Sequence, residues 1–162
     1  MTTTTKTTAA SKPPPAAKDA IAFLRADHGT VSGLFADYEK THSSSKKKAL
    51  VAEICSELSV HAQIEEEIFY PAVKAALKDK HLVPEATVEH ASVKDLIAQI
   101  EGAEPDGEAY DAKVKVLSEY VKHHVKEEQN EMFPKAKATS LDLVELGARM
   151  AARKADLLAA RG

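Results

Sequence analysis

The segment VAEICSELSVHAQIE, Val51 to Glu65, decides the fold once it is set beside VKVLSEYVKHHVKEE, Val114 to Glu128. Val51, Ile54, Leu58, His61 and Glu65 follow one another at steps of three and four residues. Val114, Leu117, Val121, His124 and Glu128 repeat the same steps. On a helix of 3.6 residues per turn each set forms one stripe that faces a core. Each stripe is apolar until its last two positions, which are an imidazole and a carboxylate. Burying either group without a partner costs several kcal/mol, and an ionised carboxylate costs more. A metal ion shared between the two stripes would remove that cost.

The repeat extends outward to a second pair of helices. Leu24, His28, Val31, Phe35 and Tyr38 match Ala86, His90, Val93, Ile97 and Ile100 in spacing, so an inward histidine recurs with apolar neighbours one turn to either side. His28 precedes His61 by 33 positions and His90 precedes His124 by 34. Two copies of one helical hairpin would deliver four histidines and two glutamates to the centre of a bundle.

A chain of 162 residues suffices for one domain with a real core. Scarce Gly, absent Trp and abundant Ala, Lys, Glu, Leu and Val favour helix throughout. The spacing predicts helices from Asp19 to about Lys40, from Ser44 or Ser45 as cap through Glu67 toward Pro71 or Asp79, from about Pro84 to Gly102, and from Glu108 to Pro134 or just beyond. Glu104 to Gly107 reads as a turn. Short connections imply an all-α, up-down-up-down four-helix bundle over 19–137. A fifth helix, capped by Ser140 and carrying Leu141, Val144, Leu146, Met150, Leu157 and Leu158, is expected to cover the bundle from 138–162. Residues 1–18 are rich in Thr, Ala and Pro and read as a flexible tail.

The formal net charge of −3 and the lack of a basic stripe with interleaved aromatics argue against nucleic acid as a partner. Residues 1–18 hold no apolar run that could serve as a signal-peptide core or a membrane span, so no membrane association is expected and the cytoplasm is the expected location. Cys55 is the single cysteine. It reads as a small packing residue, and it rules out an intramolecular disulfide.

Four of the seven histidines are followed by Glu four residues later. His81 with Glu85 is set aside because Pro84 interrupts a helix there. His123 with Glu127 competes with His124 and Glu128. The stripe ending at Val121 leads to His124, and Pro71 and Pro134 each lie ten residues beyond His61 and His124. His123 then points about 100° away, toward a flank that Val116 and Tyr120 make partly apolar. His42 and His81 fall at loops or helix ends. Glu66, Glu67 and Glu127 read as a charged outer face, from which one could orient a ligand histidine through its second nitrogen.

With these residues in view, the chain resembles the hemerythrin-like HHE cation-binding proteins. H…HxxxE occurs twice, as His28, His61, Glu65 and His90, His124, Glu128. IFYP at 68–71 and MFP at 132–134 resemble the family's helix ends, and LVELGARMAARK resembles its trailing helix. The resemblance covers about Asp19 to Lys137. It implies two non-haem iron ions, oxo- or hydroxo-bridged when oxidised. His28 and His61 would bind one, His90 and His124 the other, and Glu65 and Glu128 would span both. The absence of cysteine ligands argues against an iron–sulfur cluster. A ferritin-like site is disfavoured because the sole ExxH pair, Glu39 with His42, lies at a helix end.

The oxygen-carrying members of the family have HxxxH on the third helix and, on the fourth, a histidine followed five residues later by aspartate. Here Lys94 and Gln129 stand at those positions. One terminal histidine is therefore missing, and an iron position is left for water, substrate or another ligand. Tyr120, one turn before His124, is a candidate for it, the other reading being a packed tyrosine with its hydroxyl hydrogen-bonded. Phe35, Ile54, Leu58, Val93 and Ile97 are expected around the site.

Three functions follow from the resemblance, in this order. The first is an enzyme acting on a small oxidant, foremost catalase-like disproportionation of hydrogen peroxide, with an unidentified electron donor. The second is binding or sensing of O2 or nitric oxide. The third is iron handling.

Overall fold

The computed structural model describes residues 18–105 and 108–161, so the expected tail up to residue 17 and the tip of the 104–107 turn lie outside the described residues. All the described elements are helices. The helix α1 spans Ala20–Lys40, α2 runs over 44–76, α3 spans Leu82–Glu101, α4 runs over 108–137 and α5 spans Leu143–Arg161. The first four run up and down as a bundle. α1 packs against α2 and α3 against α4, while α5 lies across α1 and α2.

Local chemistry sets the boundaries. Asp19 caps α1 by accepting from the Ala22 backbone N–H at 2.8 Å. Ser43, not Ser44 or Ser45, caps α2: its extended backbone leaves the hydroxyl facing the Lys46 N–H. α2 stops at Ala76, short of Asp79, because Leu77 turns extended. α3 starts two residues before Pro84. That still leaves the proline in the first turn, where its missing N–H has no helical partner to lose. The cap of α5 is Asp142 rather than Ser140, with its carboxylate accepting from the Glu145 N–H at 3.0 Å.

Two helices widen at equivalent points. α2 is a π-turn over Glu65–Phe69 and α4 over Glu128–Met132, each followed by a proline, Pro71 or Pro134. A proline lacks the N–H and its ring crowds the carbonyl four residues back. The helix instead closes one residue wider, with the Tyr70 N–H bonding to the Glu65 carbonyl and the Phe133 N–H to the Glu128 carbonyl. In an ordinary α-helix the fifth residue on would stand about 140° around the axis. The wider turn brings Tyr70 over Glu65 and Phe133 over Glu128, and all four side chains are buried.

The core divides into two apolar blocks. One holds Ile21, Leu24, Val60, Ile64, Phe69, Val73, Phe133 and Met150 among others. The other holds Val31, Phe35, Ile54, Leu58, Val93, Ile97, Val114 and Leu117. Each fully buried large side chain contributes roughly 1.5–3 kcal/mol. Along every bundle helix the switch from one block to the other falls at a histidine, so a polar slab lies between them. α5 joins the first block through Leu146 and Met150. Its backbone approaches α1 closely at Gly147, where a Cβ would stand 2.3 Å from the Lys18 carbonyl oxygen.

Candidate metal centre

The slab brings together the six residues singled out from sequence. His28 comes from α1, His61 and Glu65 from α2, His90 from α3, and His124 and Glu128 from α4; all but the half-buried His28 are buried. Glu65 Oε1 lies 2.9 Å from His61 Nε2 and 3.4 Å from His90 Nε2. The Glu128 carboxylate lies 3.1 Å from both His28 Nε2 and His124 Nε2, one oxygen to each. Each glutamate therefore meets one histidine from each hairpin.

These contacts are short but poorly aligned as hydrogen bonds. His28 Nε2, His61 Nε2, both Glu65 oxygens and Glu128 Oε1 are buried with no hydrogen-bond partner. Orphaned buried polar atoms are costly. Their spacing has another reading: donors around an ion at about 2.1 Å stand about 3.0–3.4 Å from their neighbours in octahedral or tetrahedral arrangements. The donor atoms fall into two groups, His28, His61, Glu128 and Glu65, His90, His124, each gathered within 4.8 Å. Imidazole and carboxylate in this ratio suit a first-row transition metal. The residues fit a cation centre.

The outer nitrogens are held as well. His61 Nδ1 bonds Asp27 at 3.0 Å, His124 Nδ1 bonds Glu89 at 3.0 Å and His28 Nδ1 donates to Gln129 at 2.9 Å. His90 Nδ1 faces Glu66 at 3.9 Å. With the Nδ1 atoms turned outward, each Nε2 is aimed at the centre. The supports follow the internal repeat: Asp27 and Glu89 each precede an inward histidine and hold a histidine of the neighbouring helix, while Glu66 and Gln129 each follow a glutamate of the centre. Sequence reading found Glu66 among three possibilities and missed the other three. Glu67 and Glu127 instead face Arg153 and His123. The pairing of an acidic residue with the next histidine, Asp27-His28 and Glu89-His90, was the available signal.

Asp27 also bonds Lys154 of α5 at 2.6 Å. Burial acts to raise the Asp27 pKa, but the bonds from His61 and Lys154 outweigh it and hold the carboxyl below its ordinary range. Burial similarly opposes charge on His61, yet Glu65 and Asp27 lift its pKa to about 10. For His124, burial is overcome by Glu128 and Glu89, which lift it to about 11. Without a cation, protons on these two rings balance the carboxylates. Metal binding must displace them, because a ligand imidazole is neutral.

Tyr120 does not reach the centre. It is 47% exposed and lines a surface groove with Glu89, Ser92 and His123, so neither the ligand reading nor the packed reading describes it. The tyrosine that enters is Tyr70. Its hydroxyl donates to Glu128 Oε2 at 2.7 Å and lies 3.1 and 3.2 Å from the Nε2 atoms of His90 and His124. Burial, with the charges of Glu65 and Glu128, keeps its pKa well above the ordinary value. The equivalent residue of the second hairpin is Phe133, stacked on His28 with ring centroids 6.0 Å apart. The two halves thus differ: a hydroxyl stands on the His90 and His124 side and a bare ring on the other. The IFYP and MFP endings contained this difference, but only the π-turn shows that Tyr70 faces inward.

Beside the histidines lies a small cavity of about 40 Å³, walled by Val31, Leu58, Val93, Val121 and Val125. Of the expected shell residues Leu58 and Val93 line it, whereas Phe35, Ile54 and Ile97 pack deeper in the second apolar block. Lys94 stays outside, 52% exposed and paired with Glu66 at 2.7 Å. No helix among the described residues is long and apolar enough to cross a membrane.

Comparison with known proteins gives concordant matches. Residues 19–136 match the family model described as Hemerythrin HHE cation binding domain. A protein of Mycobacterium tuberculosis named "Uncharacterized protein Rv2633c" is 29% identical over 139 residues, which cover 83% of this chain and 84% of that one. A "DNA nickase" of Nostoc sp. is 28% identical over 110 residues; these cover 68% of this chain but 31% of the nickase, so the match spans about a third of that protein. A crystal structure described as a Hemerythrin HHE cation binding domain-containing protein, the Rv2633c homolog from Mycobacterium kansasii, superposes with a TM-score of 0.75 at 29% identity, covering 86% of this chain and 87% of that one.

Proposed function

This chain belongs to the hemerythrin HHE cation-binding domain family, and from that premise we propose that it holds two iron ions and consumes a small oxidant, foremost hydrogen peroxide. The observation that carries the reading is the cross-linking of the hairpins: Glu65 meets His61 and His90, and Glu128 meets His28 and His124. Two carboxylates so placed suit a pair of adjacent ions. His28 and His61 would hold one, His90 and His124 the other, with both glutamates shared. Held by these residues, a pair of ferrous ions would supply two electrons to one oxidant, the requirement for reducing peroxide or dioxygen.

The remaining chemistry belongs to the chain. Valine and leucine side chains wall the cavity and limit the water beside the centre. At about 40 Å³, before any ion is counted, it admits a molecule of two or three heavy atoms and excludes an organic substrate. Asp27, Glu89 and Gln129 fix the imidazole rings, so the donor geometry is set before an oxidant arrives. Tyr70 holds a proton at a hydroxyl 2.7 Å from Glu128, within reach of the His90 and His124 side. In peroxide disproportionation two H2O2 give O2 and two H2O, and a buried donor at that point can return a proton to a departing oxygen. The same cavity suits O2 or nitric oxide, which keeps a binding or sensing role as the second reading.

The test is oxygen evolution from hydrogen peroxide by the iron-loaded protein, with His124→Ala as the control. Many turnovers per chain that vanish in the variant are expected. No turnover with iron still bound would overturn the enzyme reading in favour of reversible O2 or nitric oxide binding.

A further inference from the structure

Outside the buried centre a third group of metal-ligating side chains is gathered on the surface. Glu89 of α3, with His123 and Glu127 of α4, presents one ligand atom each, all within 4.8 Å of one another. His123 Nε2 lies 3.4 Å from Glu89 Oε2 and 3.2 Å from Glu127 Oε1. Neither contact is aligned as a hydrogen bond, so His123 turns its nitrogen toward a point shared with both carboxylates. These spacings match those of neighbouring donors around an ion at about 2.1 Å. His123 is set by the α4 register: HxxxE places His123 and Glu127 one turn apart on a single face, rotated off the inward stripe of His124 and Glu128.

We propose that Glu89, His123 and Glu127 form a solvent-facing site for one divalent transition-metal cation, joined to the buried centre through Glu89. One imidazole and two carboxylates, with positions left to water, favour zinc or ferrous or manganous ions over magnesium and calcium, which take oxygen alone. The three side chains are 64%, 24% and 41% exposed for His123, Glu89 and Glu127, so an ion reaches them from solvent without any opening of the bundle. Glu89 divides its two oxygens. Oε1 holds His124 Nδ1 at 3.0 Å while Oε2 faces His123. A cation at the surface is therefore one carboxylate away from a histidine of the centre. The site does not depend on which oxidant the centre consumes.

The test is calorimetric titration of the iron-loaded protein with Zn2+, with iron counted before and after. One Zn2+ per chain at micromolar affinity, with the iron content unchanged, is expected. His123→Ala should weaken that binding by at least about tenfold, and Glu127→Gln should weaken it measurably. Both changes fall at exposed or half-exposed positions, and unchanged far-ultraviolet circular dichroism would show that the variants fold. Absence of Zn2+ binding up to about 1 mM, or equal affinity in His123→Ala, would overturn the proposal and leave the group as a surface ion pair.

Discussion

Changing Tyr70 to Phe removes one oxygen atom and no packing surface, and Phe133 shows that a bare ring is accommodated at the equivalent point of the other hairpin. The lost hydroxyl donates to a buried carboxylate oxygen at 2.7 Å. A hydrogen bond to a charged group contributes about 1.5–3 kcal/mol. Glu128 keeps His28 and His124, each at 3.1 Å, so the lower half of that range applies. The metal-free variant should lose about 2 kcal/mol, or about 4–8 °C in melting temperature for a chain of this size. Urea unfolding followed by circular dichroism at pH 7, on protein stripped with a chelator, measures the difference. A loss below about 0.5 kcal/mol would refute the placement of the hydroxyl on Glu128, because a buried bond to a carboxylate is not that weak.

Other perturbations bear on separate parts of the molecule. Tyr70 keeps its proton on the hydroxyl that donates to Glu128, so the ferric protein should show no visible phenolate-to-iron band; a band that Tyr70→Phe removes would replace the proton-donor role by a ligand role, and one that Tyr120→Phe removes would return the ligand role to Tyr120. In metal-free protein the pKa of His61 rises from 6.5 to about 10 and that of His124 to about 11. Their contribution to stability is complete below pH 6.5 and is lost as pH climbs through those values, so urea midpoints should fall between pH 7 and 10, and a flat profile would count against the ion pairs. Gly147→Ala should cost about 1–3 kcal/mol by pushing α5 from the start of α1, where a Cβ meets the Lys18 carbonyl at 2.3 Å; unchanged thermal unfolding would mean that the contact yields freely. His61→Ala should bind at least one iron fewer per chain by elemental analysis, and full occupancy would remove it from the proposed ligand set.

The helical periods were legible because long amphipathic stripes leave little freedom in which face turns inward, and His28, His61, His90 and His124 fell where their stripes required. The cap residues were less so. Ser43, Ser44 and Ser45 are chemically equal as caps, and the choice depends on where the preceding chain turns extended. Tyr70 escaped because a strict 3.6-residue period carries it away from Glu65, and the period breaks at that point. Gln129 and Glu89 escaped for a different reason: each supports a histidine on another helix, a relation that spacing along one helix does not record. The apolar wall was half anticipated. Phe35, Ile54 and Ile97 lie on the correct faces, one turn too far from the slab.

The π-turns also bear on which changes of length the chain tolerates. Each holds one residue more than the α-helical turn that would otherwise cover the same rise. Removing one residue between Glu65 and Tyr70 would let the helix close normally and still leave the phenol about 40° from the glutamate. The same deletion elsewhere in α2 would turn everything beyond it by about 100° and expose half of a core face. Insertions and deletions separating this chain from its relatives should therefore be sought at these two turns first, and a gap placed there leaves the alignment of His61 and His124 intact.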